Sequence, residues 1–113
     1  MKHYAVVFAP EAQDDLLELY AWIAERTSPA VAQRYTDAIV EQCERLATLP
    51  QRGAPREDVR PGLRITHYRG RTVIAYAVDD DAGRVVVLGV FHGGRDYGRA
   101  LGQPDMDSDD EPN

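Results

Sequence analysis

The chain has 113 residues, enough for one compact domain and too few for two cores, and 43% apolar with 28% charged residues excludes fibrous and disordered classes. Its net charge of −6 hides three unlike segments, −4 over residues 1–50, +3 over 51–102 and −5 over 103–113, and the single cysteine, Cys43, excludes an internal disulfide or a cysteine-based zinc site within one chain. No apolar run approaches the roughly 20 residues of a membrane span, and the start MKHYAVVFAPE lacks the apolar core of a signal peptide, so a soluble, cytoplasmic protein is expected.

HYAVVFAP predicts a first strand with Tyr4, Val6 and Phe8 on alternate positions, ended by Pro10. Pro10 also opens a helix over about residues 10–26, because proline suits the first turn and Glu11, Asp14 and Asp15 sit near its positive end. Ala12, Leu16, Leu19, Tyr20 and Ile23 form its apolar stripe. Ser28 caps and Pro29 opens a second helix carrying Ala32, Tyr35, Ile39, Cys43 and Leu46, which runs until Pro50 and Gly53 stop it. These stripes read first as core, and Cys43 as a small buried hydrophobe rather than a reactive thiol.

Between Arg52 and Arg71 six arginines face only Glu57 and Asp58, a local basic stripe that either solvates a loop or meets phosphates or an acidic protein surface. GLRITHY, TVIAYAV and RVVVLGVFH then follow, joined at Arg69–Gly70 and at DDDAG, and predict an antiparallel meander. The DDD reads as a turn with Gly83 at positive φ rather than an ion site. The last two strands are apolar on both alternations, so either the C-terminal segment covers the second face of the sheet or part of that face waits for a partner. The element order is β-α-α-β-β-β in one domain, residues 1–102, followed by an acidic tail, residues 103–113, expected to be disordered.

Polar groups gather at the strand ends: Arg64, His67, Tyr68, Arg71, His92, Arg95, Asp96 and Tyr97. Metal-free RNA cleavage needs a base, an acid and a cation at the phosphorus, and His92, Tyr97 and Arg64 supply those types without selecting the chemistry. His67 and His92 lie on different strands with no third ligand, so no metal site is expected, and no nucleotide-binding fingerprint is present.

EAQDDLLELYAWI, SPAVAQRY, LATLPQRGAPR, GLR, VIAYAV and VLGVFHGGRD, in this order and spacing, resemble the ParE branch of the RelE/ParE toxin superfamily, over residues 3 to about 97. The resemblance implies an α+β fold in which a helical hairpin packs on a small, mainly antiparallel, twisted sheet. It implies a toxin that inhibits DNA gyrase, has no catalytic residues or cofactor of its own, and is neutralised by a ParD-like antitoxin in a hetero-oligomer. On this resemblance Leu16, Leu19, Tyr20, Tyr35 and Ile39 are assigned to the antitoxin, and Arg64, Arg71 and Arg95 to the target, with Asp96 orienting Arg95 and His92 ending its strand at the rim. Two alternatives stay open. One is a RelE/YoeB-like ribosome-dependent messenger RNA endoribonuclease using Arg64, His92 and Tyr97, although Val73 stands where such enzymes place an arginine and Lys2 is the only lysine. The other is a relic that binds an antitoxin and harms nothing.

Overall fold

The structure, a computed structural model, describes residues 3–93 and 97–101. In chain order it runs β1 (Ala5–Phe8), α1 (Pro10–Arg26), α2 (Pro29–Glu44), a 3-10 turn (Arg45–Ala47), β2 (Ala54–Pro55), β3 (Leu63–Tyr68), β4 (Thr72–Asp79), β5 (Arg84–His92) and α3 (Tyr97–Leu101). The five strands form one sheet in the order β1-β5-β4-β3-β2. The chain leaves one edge of the sheet, crosses a face as the helical hairpin, returns at the far edge and meanders back. β3, β4 and β5 therefore pair antiparallel, while β1 joins β5 in parallel, Ala5 opposite Arg84 and Phe8 opposite Val87.

Local chemistry accounts for the hairpin. Pro10 opens α1, Ser28 Oγ accepts the Val31 N–H at the start of α2, and Thr27 closes α1 by donating both its N–H and its hydroxyl to the Ile23 carbonyl. The second helix stops being α-helical at Glu44, short of the expected Pro50. Its last turn tightens instead to 3-10, which carries Leu46 into full burial beside Tyr76 and Val85 and offers the Ala47 carbonyl to the Tyr4 N–H. Arg69 and Gly70 both take positive φ, 55° and 70°, as the central residues of a type I′ turn, and Gly83 takes 67° where the DDDAG connection demands it.

Ala12, Leu19 and Ile23 of α1 and Ala32, Ile39 and Cys43 of α2 pack on Ile74, Val87 and Val90 of the sheet. Burial pushes the Cys43 thiol up to about 12, so it stays protonated and acts as a small apolar group. The doubly apolar strands are explained by a second cluster on the other face, where Leu63, Ile65, Ala75 and Phe91 lie under Val59 of the 56–62 loop and Leu101 of α3. A bulge at Ala75/Tyr76 interrupts the β4–β5 ladder, and beside it Asp15 of α1 accepts the Val90 N–H at 2.9 Å, tying helix to strand. The acidic tail lies outside the described residues.

The loop after α2 is bolted to the sheet from beneath. The hydroxyl of fully buried Tyr76 accepts the Gly53 N–H at 2.8 Å and donates to the Pro50 carbonyl at 2.9 Å. Gly53 has no room for a side chain, since a Cβ there would sit 2.3 Å from the Ile65 carbonyl oxygen. Tyr76→Phe leaves two buried polar groups unpaired, and a loss of about 2 kcal/mol is expected, read as a lower urea midpoint at unchanged slope.

Candidate functional site

Two surfaces of the hairpin remain after the core has taken its share. The first is a groove of about 810 Å³ between β1 and the outer faces of both helices, walled by Val7, Phe8, Leu16, Leu17, Tyr20 and Val40. Val7 and Leu17 are 40% and 69% exposed, so apolar area stands in water there. Its polar rim is already ordered: Gln13 donates to the Phe8 carbonyl at 3.0 Å, and Gln33 donates to Asp37 Oδ1 at 2.8 Å. β1 is the edge strand of the sheet, and one wall of the groove is that strand.

Of the five hairpin residues assigned to an antitoxin, Leu16 and Tyr20 line this groove. Leu19 and Ile39 face the opposite way, 5% and 0% exposed, because helical spacing turns them into the sheet, and their side chains belong to the core. Tyr35 lies near the far end of the sheet, its hydroxyl 3.1 Å from Thr72 Oγ1. The groove's exposed members, Val7 and Leu17, are absent from the sequence assignment, although Leu17 lies off the stripe of α1 and an off-stripe leucine is the signal that marks it.

The second surface is at the end of the sheet where β3, β4 and β5 bring Tyr68, Thr72 and His92 into one cross-strand row. His92 Nδ1 lies 3.0 Å from the buried Thr72 hydroxyl, which continues to Tyr35, so the three groups form one hydrogen-bonded chain from β5 through β4 to α2. Trp22 of α1, 45% exposed, packs on the His92 ring with centroids 5.2 Å apart. Desolvation, with Arg71 nearby as a second cause, holds the His92 imidazole below its ordinary value and keeps it neutral at physiological pH.

The arginines separate. Arg64 is half-buried and inward-tied, its Nη2 donating to the carbonyls of Gln51 at 2.9 Å and Gly53 at 2.7 Å, so its first task is to hold the basic loop. It pairs with Tyr76, four residues along β3 from the Tyr68–Thr72–His92 row, or roughly 13 Å at strand spacing. Arg64 and His92 therefore do not share a site. Arg71 is exposed and stands beside His92. Arg95 and Asp96 lie outside the described residues, and Tyr97 opens α3 with its side chain outside the description. Among the described residues no group of three histidine, cysteine, aspartate or glutamate side chains is placed to hold a metal, and no helix is long and apolar enough to cross a membrane.

Known proteins share this architecture. The family model for the ParE toxin of type II toxin–antitoxin systems, parDE, matches residues 6–97. A solved structure of the chromosomal ParDE toxin–antitoxin system from P. aeruginosa superposes with a TM-score of 0.69 at 23% identity, covering 80% of this chain and 96% of that one. The toxin–antitoxin complex RelBE2 from Mycobacterium tuberculosis gives a TM-score of 0.60 at 29% identity, covering 81% and 93%. No curated protein sequence matches the chain.

The His92 shift has a sign that can be tested. A base whose folded pKa is depressed is stabilising to the fold above its unfolded value, near 6.5, and that contribution is lost as pH falls through the folded value. Urea midpoints are expected to fall on acidification below about pH 6.5, with part of that slope removed in His92→Asn.

Proposed function

This chain belongs to the ParE toxin family of type II toxin–antitoxin systems, and we propose that it inhibits DNA gyrase and is held inactive by a ParD-like antitoxin seated in the groove beside β1. The observation that carries the antitoxin half of this reading is the groove itself. A monomer of this size has no use for an open apolar channel walled by Leu17, Val7 and an edge strand, whereas a partner segment with alternating or helically spaced apolar side chains fits it. Such a segment orders as it binds and leaves its polar side against Gln13, Gln33 and Asp37. Both solved relatives, the P. aeruginosa ParDE system and the RelBE2 complex, are toxin–antitoxin assemblies, which supports a partner of this kind.

The gyrase half rests on the ParE membership. Arg64 is occupied with the loop and lies four residues along β3 from the His92 row, so it is not the cation beside that base; the described cation there is Arg71. Inhibition by contact requires no pairing of base and cation. Arg71 is then the described arginine best placed for the target, exposed at the start of β4, and Arg95 with Asp96 extends the assignment beyond the described residues.

Two measurements test the two halves separately. Leu17→Asp introduces a charge into the groove at an exposed site, so stability is expected to hold within about 0.5 kcal/mol while affinity for the antitoxin drops by roughly tenfold or more; unchanged affinity would move the antitoxin elsewhere. In cells expressing the chain without its antitoxin, a DNA-damage reporter is expected to rise before bulk protein synthesis falls. The reverse order would overturn gyrase inhibition in favour of an attack on translation.

A further inference from the structure

Four rings from four elements, none of them lining the groove, stand in a continuous row, Tyr35 and Tyr68 also packing against the margin of the main core. Trp22 of α1 lies against His92 of β5 at 5.2 Å, His92 against Tyr35 of α2 at 6.2 Å, and Tyr35 against Tyr68 of β3 at 5.1 Å, the last two contacts edge-to-face. A guanidinium closes each end. Arg26 lies 4.2 Å over the Trp22 ring and Arg69 lies 5.5 Å over Tyr68, while Arg71 stands beside His92 between them. Arg69 holds its place at a cost: it occupies the first central position of a type I′ turn at φ 55°, where asparagine or glycine would be less strained. Departures from local preference of this sort concentrate where a side chain serves something other than folding.

We propose that this row, Trp22 to Tyr68 with Arg26, Arg69 and Arg71, is a platform for an unpaired nucleic-acid strand. Aromatic faces interleaved with guanidinium groups are what such a strand needs, since every base offers a π-face to stack and every phosphate a charge to meet. Trp22, 45% exposed, is the outermost ring, where a base would stack in place of the Arg26 guanidinium, and the hydrogen-bonded His92–Thr72–Tyr35 chain locks the rings behind it so that they need little ordering on binding. The charges set the strand's direction. Glu25 lies 3.7 Å from Arg26, and Asp15 and Glu18 line the cavity beside Trp22, so the α1 end is net acidic and disfavours phosphate. Arg69 and Arg71 make no ion pair with a described residue, which puts the phosphates at the β3–β4 turn and the bases toward Trp22. The row and the groove take different residues of α1.

Trp22 is the only tryptophan in the chain and reports on its own site. Titrating the full chain with oligothymidylate of about 12 nucleotides is expected to quench its fluorescence saturably, with affinity falling as salt rises, and oligodeoxyuridylate against oligouridylate of the same length tells whether the sugar matters. By anisotropy of a labelled strand, Arg71→Gln is expected to lower the salt slope by about one, and Trp22→Ala to weaken binding about tenfold while Trp22→Phe retains most of it. Absent quenching, equal quenching by a duplex, or equal quenching by an oligoglutamate of matched charge would overturn the proposal, the last in favour of an acidic protein partner. The assay contains neither gyrase nor antitoxin, so its failure leaves the proposed function standing.

Discussion

The parallel pairing of β1 with β5 is the constraint on which both surfaces depend. It places the first strand at a sheet edge and makes the helical hairpin cross the face between β1 and the meander. α1 is thereby laid over β5, where Asp15 accepts the Val90 N–H, and one helix is left with three jobs: a core stripe, a groove wall and a ring platform. Leu19 and Ile23 serve the first, Leu16, Leu17 and Tyr20 the second, Trp22 the third. Had β1 joined the other edge, beside β2, the groove would have neither its strand wall nor its shape.

Charge in this chain acts locally. A protein of net charge −6 is repelled by nucleic acid on average, but its arginines are sorted by what they touch. Arg64 turns inward to the Gln51 and Gly53 carbonyls, and Arg56 pairs with Asp58 across two residues of its own loop, in an exposed contact that adds little to stability. Arg69 and Arg71 stay at the surface beside aromatic rings. The basic stripe that looks uniform along the sequence is thus divided: Arg64 holds the loop, Arg56 pairs within it, and Arg52, Arg60, Arg69 and Arg71 are exposed.

Much of this was legible in the residues. Pro10, Ser28 and Pro29 mark both helix starts, and the glycine-bearing turns mark the meander, because backbone geometry and capping depend on near neighbours alone. The family likeness in residue order pointed to the same fold. β2 was not legible: it is two residues long, contains Pro55, and exists only because β3 offers its edge. Nor was the tightening after Glu44, which follows from the space available to Leu46 under Tyr76.

The amino-acid sequence by itself determined the element order, the two amphipathic stripes and the concentration of arginine after α2, since each is a matter of spacing along the chain. Only the tertiary structure decided which side of each helix is core and which is surface. Leu16 and Leu19 are one helical turn apart and equally apolar, yet one walls a groove and the other is buried, because a stripe wider than the sheet can cover must leave its margin in water. The same holds for Arg64 and Arg71 and for the ring row. Trp22, Tyr35, Tyr68 and His92 are scattered over 71 positions, and their contact arises from sheet register and helix placement, which no local pattern encodes.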